Sequence, residues 1–452
     1  MKPFAHKRLL VILAIAFGLR LVAGMAWQER LPGRFGMPDS ETYWELGLAI
    51  AEGQPYECCP ERYQVFRTPG YPLLLAPILW SNGDRMSSVM LARAEVALLG
   101  TLAVAAIWWL TRRLFDNRAA LLAAVLAAFY PGAVALSILV LAEAPFCPLM
   151  LLNLGLWIAA WQAENKGRTI VLALAAGLTA ATATLMRPSW LLFLPFAVAV
   201  GVLLGRWNMP TQAWAWHPAW AWHPAWHPVK RCRIRHLWIG AWMMLGLAAA
   251  MLPWWVRNAC VTGHFVPTTL QVGASLYDGL NPEATGASNM DFVPKFVPAE
   301  QARTESFELR LDRRFRDEAL AWAKANPGRA IKLAGVKFLR LWNLWPNEAR
   351  LSSRPIRLAV LFTYTPILIC AIIGAVRTFR RGWPYILCWL PAVYFTLLHT
   401  VFVSSIRYRE PAMLAMLALA AGALVGGTTE HKSAFANDEA RMTNDQRSTK
   451  RK

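Results

Sequence analysis

The residues best able to do chemistry lie in one polar, aromatic stretch, 36–72, GMPDSETYWELGLAIAEGQPYECCPERYQVFRTPGYP, set between two apolar segments. Asp39 stands at its head within Pro-Asp-Ser, Tyr43 follows four residues on, and an Arg-Thr-Pro-Gly-Tyr-Pro run from Arg67 to Pro72 closes it. A carboxylate, aromatic rings and arginines beside a membrane suit chemistry on an anionic group at the lipid surface. A guanidinium binds phosphate through paired hydrogen bonds, so Arg67 is a phosphate ligand or, equally well, a headgroup contact or an ion-pair partner of Asp39 or Glu41. The plainest role for Asp39 is to cap the helix that follows, since Asp and Ser are favoured there. A capping carboxylate can still face a cleft. Glu41 and Glu45, four apart on one helical face, are alternative carboxylates.

Two further segments carry candidates. The run VSSIRYREP places Arg407 and Arg409 on either side of Tyr408 in a short loop expected outside. Basic residues there break the usual charge bias of short loops, and a bound phosphate would explain them. Glu143, in SILVLAEAPF, is ionisable and close to the hydrocarbon layer, which makes it a functional candidate. It could equally be a partner for Arg20, Arg93 or Arg187. Arg187, beside Pro188 in an outer hairpin, reads most simply as a snorkelling side chain. Tyr43 and Tyr71 are candidate stacking platforms for a sugar.

These residues need a membrane scaffold to hold them. The 452-residue chain is 56% hydrophobic and 16% charged, against ~45–50% and ~25% for a soluble domain. Ten apolar runs approach the ~20 residues that cross a bilayer as helices: roughly 9–27, 88–110, 119–136, 144–161, 169–186, 189–205, 237–256, 357–376, 383–402 and 411–427. The first is read as an uncleaved signal anchor, because Arg20 interrupts it and no small-x-small cleavage site follows. With the N-terminus inside, the segments 1–8, 111–118, 162–168, 206–236, 377–382 and the tail from 428 are all basic and all inside. The long loops 28–87 and 257–356 fall outside. The net charge of +20 is thereby explained by topology, and its scattered basic groups do not form the stripe that nucleic acid requires.

In loop 257–356, residues 260–298 read as irregular and 300–325 as a helix with an apolar stripe of Phe307, Leu311, Phe315, Ala319 and Trp322. Asp312 and Arg316 can pair one turn apart, Asn326-Pro327-Gly328 ends the helix, and 329–345 suits a helix lying in the interface. Cys147, Cys370 and Cys388 fall in apolar spans, whereas Cys58 and Cys59 lie outside, where either could pair with Cys260. The inner loop holds AWAWHPAWAWHPAWHP (213–228), a repeat with His217, His223 and His227 that reads as a tryptophan-rich segment against the inner headgroups. The polar tail 428–452 reads as disordered. Neither a Gly-rich phosphate loop nor a zinc pattern is visible, so a soluble nucleotide donor has no support and a lipid-borne one fits.

Taken in order, six motifs resemble those of the polytopic GT-C glycosyltransferases, especially family 39 and the related aminoarabinose and protein mannosyl transferases. They are Pro-Asp-Ser-Glu-Thr-Tyr from Pro38, the Arg67–Pro72 run, Arg187-Pro188, Pro253-Trp-Trp-Val-Arg-Asn258, Asn326-Pro-Gly-Arg329 and Arg407-Tyr-Arg-Glu-Pro411. The resemblance spans residues 39 to 411. It implies an all-α membrane domain over 1–427 with amphipathic interfacial helices in two outer loops. It also implies a sugar donor linked to polyprenyl phosphate, with Asp39 as catalytic base. The family often has two acidic residues side by side here, whereas Ser40 follows Asp39. The tryptophan-histidine repeat has no counterpart in the family. The expectation is therefore an inverting glycosyl transfer at the extracytoplasmic face of a bacterial inner membrane, with both termini cytoplasmic. Arg67, Arg407 and Arg409 would meet the donor phosphate, and Glu41, Tyr43, Tyr71, Glu143 and Tyr408 would line the substrate site. The acceptor is a lipid, glycan or protein hydroxyl. A divalent ion bridging Asp39 and the phosphate is admitted, with no ligand set evident. The alternatives are a transporter or flippase of lipid-linked sugars, and a scaffold that binds partners through the tryptophan-rich repeat.

Overall fold

The computed structural model describes residues 3–31, 35–81, 85–204, 227–301, 306–346 and 353–426. Their regular structure is helical: α1 (Pro3–Glu29), α2 (Pro38–Ala51), α3 (Gly70–Ser81), α4 (Arg85–Leu114), α5 (Asn117–Phe129), α6 (Pro131–Leu136), α7 (Glu143–Gln162), α8 (Lys166–Met186), α9 (Phe193–Leu203), α10 (His227–Thr262), α11 (Val272–Gly279), α12 (Val293–Gln301), α13 (Phe307–Ala325), α14 (Pro327–Leu341), α15 (Arg354–Thr378), α16 (Trp383–Val401) and α17 (Glu410–Val425).

Seven of these, α1, α4, α7, α8, α10, α15 and α16, are long and apolar enough to cross a membrane, and α3, α5, α9 and α17 are shorter apolar helices. All of these but α3 correspond to the ten expected spans, and the chain is an integral, multi-pass membrane protein. The run 119–136 is broken, however. Tyr130 is extended between α5 and α6, because Pro131 has no N–H to continue the ladder and disfavours helical backbone before it. Helix α10 also begins at His227, inside what reads as the inner loop 206–236. The tryptophan-rich repeat up to 226 and the tail from 428 lie outside the described residues.

Burial explains which helices sit where. Helix α17 is apolar all round and buried from Glu410 through Gly422, as a helix without a polar face must be. It packs against α15, α5, α16, α4 and α7. Helices α1 and α15 leave Leu10, Val11, Val22, Phe362, Ile369 and Val376 exposed, apolar surface suited to lipid contact. Helices α8 and α10 approach closely at Gly177, where a Cβ would lie 2.0 Å from the Met243 carbonyl oxygen.

The bundle has two distinct ends. At one, polar side chains cap the helix termini: Tyr385 donates to the Leu114 carbonyl at 2.9 Å, Arg235 to Trp161 and Ala163, and Arg377 to Ala423. The basic short loops gather there. At the other end lie α2, α3 and α11–α14. Residues 260–298 are less irregular than their glycines and prolines suggest, since α11 and most of α12 fall among them. The helix read as 300–325 begins at Phe307. Its stripe is real: Leu311, Phe315 and Ala319 are buried, and the first two pack with Leu46, Cys58, Tyr63 and Val297. Asp312 and Arg316 pair as expected, and Pro327 opens α14, whose outward face shows Ile331, Phe338 and Leu339. All seven cysteines are free, so the link from Cys58 or Cys59 to Cys260 is not made.

Candidate active site

At this second end the structure gathers five charged side chains from five places in the chain. Met37 is the residue that precedes α2, Pro38 opens it, and no side chain caps it. Asp39 is therefore not the cap but lies within the first turn, and its carboxylate points elsewhere. Its Oδ1 accepts a hydrogen bond from Arg67 Nη2 at 2.7 Å, and its Oδ2 accepts one from Arg407 Nη2 at 3.2 Å. Arg407 Nε donates to Glu143 Oε1 at 2.6 Å, and Arg187 Nη1 reaches the same oxygen at 3.3 Å. The result is a row of alternating charge, Arg67–Asp39–Arg407–Glu143–Arg187, with one positive charge in excess.

Each member is held by a different element. Arg67 ends a segment strapped from several sides. Glu308 of α13 accepts from the Gln64 and Val65 amides, Arg257 of α10 donates to the Gln64 carbonyl at 2.7 Å, and Leu270 donates to Val65 at 2.9 Å. The motif around Trp254 thus acts from beneath. Trp254 Nε1 donates to the Thr268 carbonyl at 2.7 Å and Asn258 Nδ2 to Val266 at 3.1 Å. These bonds fix the stretch ending in Gln271, whose Oε1 accepts from Arg67 Nη1 at 2.7 Å. Glu143 opens α7, Arg187 ends α8, and Arg407 sits in a short 3₁₀ turn before α17.

Exposure shows where the row opens. The Glu143 side chain is 4% exposed, Arg187 11%, Arg407 22% and Asp39 35%. The carboxylate of Asp39 is thus the accessible one. Burial favours its neutral form, but the charges and hydrogen bonds of Arg67 and Arg407 outweigh that and hold it below the usual carboxylate range. For Arg407, burial opposes the charge and Glu143 more than restores it, so its pKa lies above the ordinary value. Both groups are ionised at neutral pH. Arg67 Nε is buried without a partner among the described residues, a spare donor in a site of net positive charge.

The aromatic candidates divide. Tyr43 is nearly buried, with Arg67 5.4 Å from its ring centroid. Tyr71 meets it edge-on at 5.3 Å and is fully buried, so its ring packs the core and offers no face to a sugar. Tyr408 lies 5.1 Å from Arg187 and stacks on His399 at 4.3 Å. Sequence reasoning passed over that histidine, although an ionisable residue in an apolar span is a signal. Its Nδ1 bonds the Val403 carbonyl at 2.8 Å, while Nε2 is buried without a partner among the described residues. Arg187, read as snorkelling, is instead buried against Glu143. Gln271 had no signal in the sequence.

Three candidates are placed elsewhere. Arg409 turns away from the row: its Nη1 donates to the Leu341 carbonyl at 3.0 Å and to Asn343, its Nε to Glu410, and it lies 3.8 Å over the Tyr364 ring. It caps α14 from below. Glu41 pairs with Arg85 at 3.0 Å, and Glu45 accepts from the Cys59 amide. Among the described residues no three His, Cys, Asp or Glu side chains form a metal-binding group.

Structural comparison gives this arrangement a context. The chain matches the apo Archaeoglobus fulgidus oligosaccharyltransferase with a TM-score of 0.56 at 16% identity, over 93% of this chain and 50% of that one. The fold is GT-C. The oligosaccharyltransferase AglB from Archaeoglobus fulgidus, in complex with an inhibitory peptide and a dolichol-phosphate, matches with a TM-score of 0.55 at 15% identity, over 94% and 50%. The chain spans about half the length of that enzyme. ArnT from Cupriavidus metallidurans bound to undecaprenyl phosphate matches at 15% identity over 92% and 77%, with a TM-score of 0.43. A family model described as dolichyl-phosphate-mannose-protein mannosyltransferase matches residues 67–223, about a third of the chain, from Arg67 past Glu143 and Arg187. No curated protein matches in sequence.

Proposed function

We propose that the protein is a membrane glycosyltransferase that moves a sugar from a polyprenyl-phosphate donor to an acceptor hydroxyl, with inversion, at the extracytoplasmic face. The observation that carries this reading is Asp39, the more accessible carboxylate of a largely buried ionic row, held between Arg67 and Arg407 in a GT-C-like fold. The dolichol-phosphate held by the archaeal enzyme and the mannosyltransferase family match support a lipid-phosphate donor.

The chemistry follows from the charges. A donor phosphate entering a site of net positive charge competes with Asp39 for Arg67 and Arg407. As those hydrogen bonds pass to the phosphate, Asp39 loses what keeps its basicity low. It can then take the proton of the acceptor hydroxyl as that oxygen attacks the anomeric carbon. The bond to the phosphate oxygen breaks on the opposite side, and the leaving charge stays on the arginines. General base catalysis of this kind contributes ~10²–10⁴ in rate. Charge held by fixed donors replaces an acid. Glu143 keeps Arg407 and Arg187 oriented and does not meet the acceptor. The basic short loops at the opposite end of the bundle support placing this end outside.

The test is transfer by purified protein in detergent from a panel of polyprenyl-phosphate sugars, with membrane extract as acceptor. A labelled product from one donor is expected. Donor binding with no product from any sugar would sink the transferase reading and favour a flippase.

A further inference from the structure

The loop that leads to Arg67 contains a second reactive group, unconnected to the ionic row. Cys58 and Cys59 are adjacent in sequence and both are free. Both sit in one tight turn. The backbone there is bent. Cys59 has φ +67° and Arg62 φ +57°, a left-handed conformation that side chains other than Gly, Asn and Asp rarely adopt. A two-residue ladder holds the bend shut: the Cys58 amide donates to the Tyr63 carbonyl at 3.0 Å and the Tyr63 amide to Cys58 at 2.9 Å. The pair is reachable. It lines an open depression of about 500 Å³ with Glu45, Glu57, Pro60 and Arg62, with Cys58 buried and Cys59 half-exposed on its wall.

We propose that Cys58 and Cys59 form a redox site, a vicinal dithiol that closes into a disulfide ring between neighbouring residues. The adjacency of two free thiols, the strained turn and access from the depression together carry it. The order of reaction follows from their environments. Cys59 is half-exposed on the wall of the depression, whereas Cys58 is buried. Cys59 is therefore the thiolate that attacks. It opens an external disulfide, forming a mixed disulfide and releasing one thiolate. Cys58 then attacks the Cys59 sulfur, the ring closes and the second thiolate leaves. The two protons lost by the cysteines end on the two released thiols, and the external disulfide takes up both electrons. Neighbouring Cα atoms are only about 3.8 Å apart, below the common span of a disulfide, so the ring is a labile bond that a dithiol reopens. Its place gives it a consequence. Cys58 and Tyr63 pack with Leu46 of α2 and with α13, so closing the ring stiffens the turn between the helix of Asp39 and the segment of Arg67.

The supply of oxidant in the cell rests on the extracytoplasmic placement proposed above, but the chemistry does not, and its test reads thiols and not transfer. The full chain, purified in detergent, is reduced with dithiothreitol, freed of it, and exposed to glutathione disulfide. Remaining thiols are blocked with N-ethylmaleimide under denaturing conditions, and the peptide spanning 58–59 is weighed. The expected peptide carries no blocking group and is lighter than the dithiol by two hydrogens. The reduced protein should bind one equivalent of phenylarsine oxide, a reagent for paired thiols, and Cys59→Ser should abolish that binding. A Cys260→Ser variant should form the ring unchanged. Full blocking of both thiols, a stable mixed disulfide with glutathione, or a link to Cys260 that the Cys260→Ser variant loses would each overturn the proposal.

Discussion

Replacing Asp39 by Asn isolates the proposed base with little damage to its surroundings. The amide has the same size and keeps one acceptor oxygen. Arg67 retains Gln271 and Arg407 retains Glu143, so neither guanidinium is stranded. Because Asp39 is about a third exposed, losing its ion pairs should cost about 1 kcal/mol of stability at most. The row changes from one excess positive charge to two, so an anionic donor should bind as well as before or more tightly. Transfer should fall ~10²–10⁴-fold, equivalent to about 3–5 kcal/mol in the barrier. The assay is single-turnover transfer at saturating donor, with donor binding measured separately and thermal unfolding as a check on the fold. Unchanged transfer would remove Asp39 from the chemistry. Loss of donor binding in a folded variant would refute the charge argument and make Asp39 a binding residue.

The remaining expectations follow from the same geometry. Arg407→Ala leaves the buried Glu143 with only Arg187 and should destabilise by about 1.5–3 kcal/mol, seen as a lower midpoint in thermal unfolding, with donor binding lost as well. The Asp39 pKa is depressed in the free protein, so its contribution to stability is present above the unfolded value of ~3.9 and is lost as pH falls through the lower folded value. The acid limb of kcat/KM should accordingly lie below about pH 4. The limb of kcat should lie higher, because bound phosphate draws the arginines away, and coincident limbs would argue against that exchange. Lys337 of α14 is fully buried against the Val401 carbonyl, and burial lowers its pKa to about 8. The unfolded lysine, near ~10.4, then holds its proton longer than the folded one. Stability should rise between those values, a rise that Lys337→Met lacks in a series of unfolding midpoints against pH. Gly177→Ala drives a methyl into the Met243 carbonyl and should cost about 1–3 kcal/mol, measured as the unfolding midpoint in detergent.

Local composition determined much of this protein. Apolar runs of bilayer length must become helices in lipid, whatever their neighbours, so most of the spans are legible from hydropathy alone, whereas the break at Tyr130 is not. The stripe from Phe307 to Trp322, the Asp312–Arg316 pair and the break at Asn326-Pro327 are likewise local, because each depends on contacts within a turn or two. Asp39, Arg67, Glu143 and Arg407 were legible as types, since charge near hydrocarbon is costly and persists only with a partner. Which charge meets which was not legible. Asp39 and Arg407 are 368 residues apart, and only the packing of α2, α7, α8 and α17 brings them to one point. That packing turned Arg187 inward to Glu143 and Arg409 away from the row to the end of α14, although Arg407 and Arg409 look equivalent in sequence. It also buried Tyr71 and left Gln271 as the second partner of Arg67. The physical reason is range: hydrophobic patterning and backbone sterics act over a few residues and are written in the chain. Ion pairs act across whatever the fold places within a few ångströms.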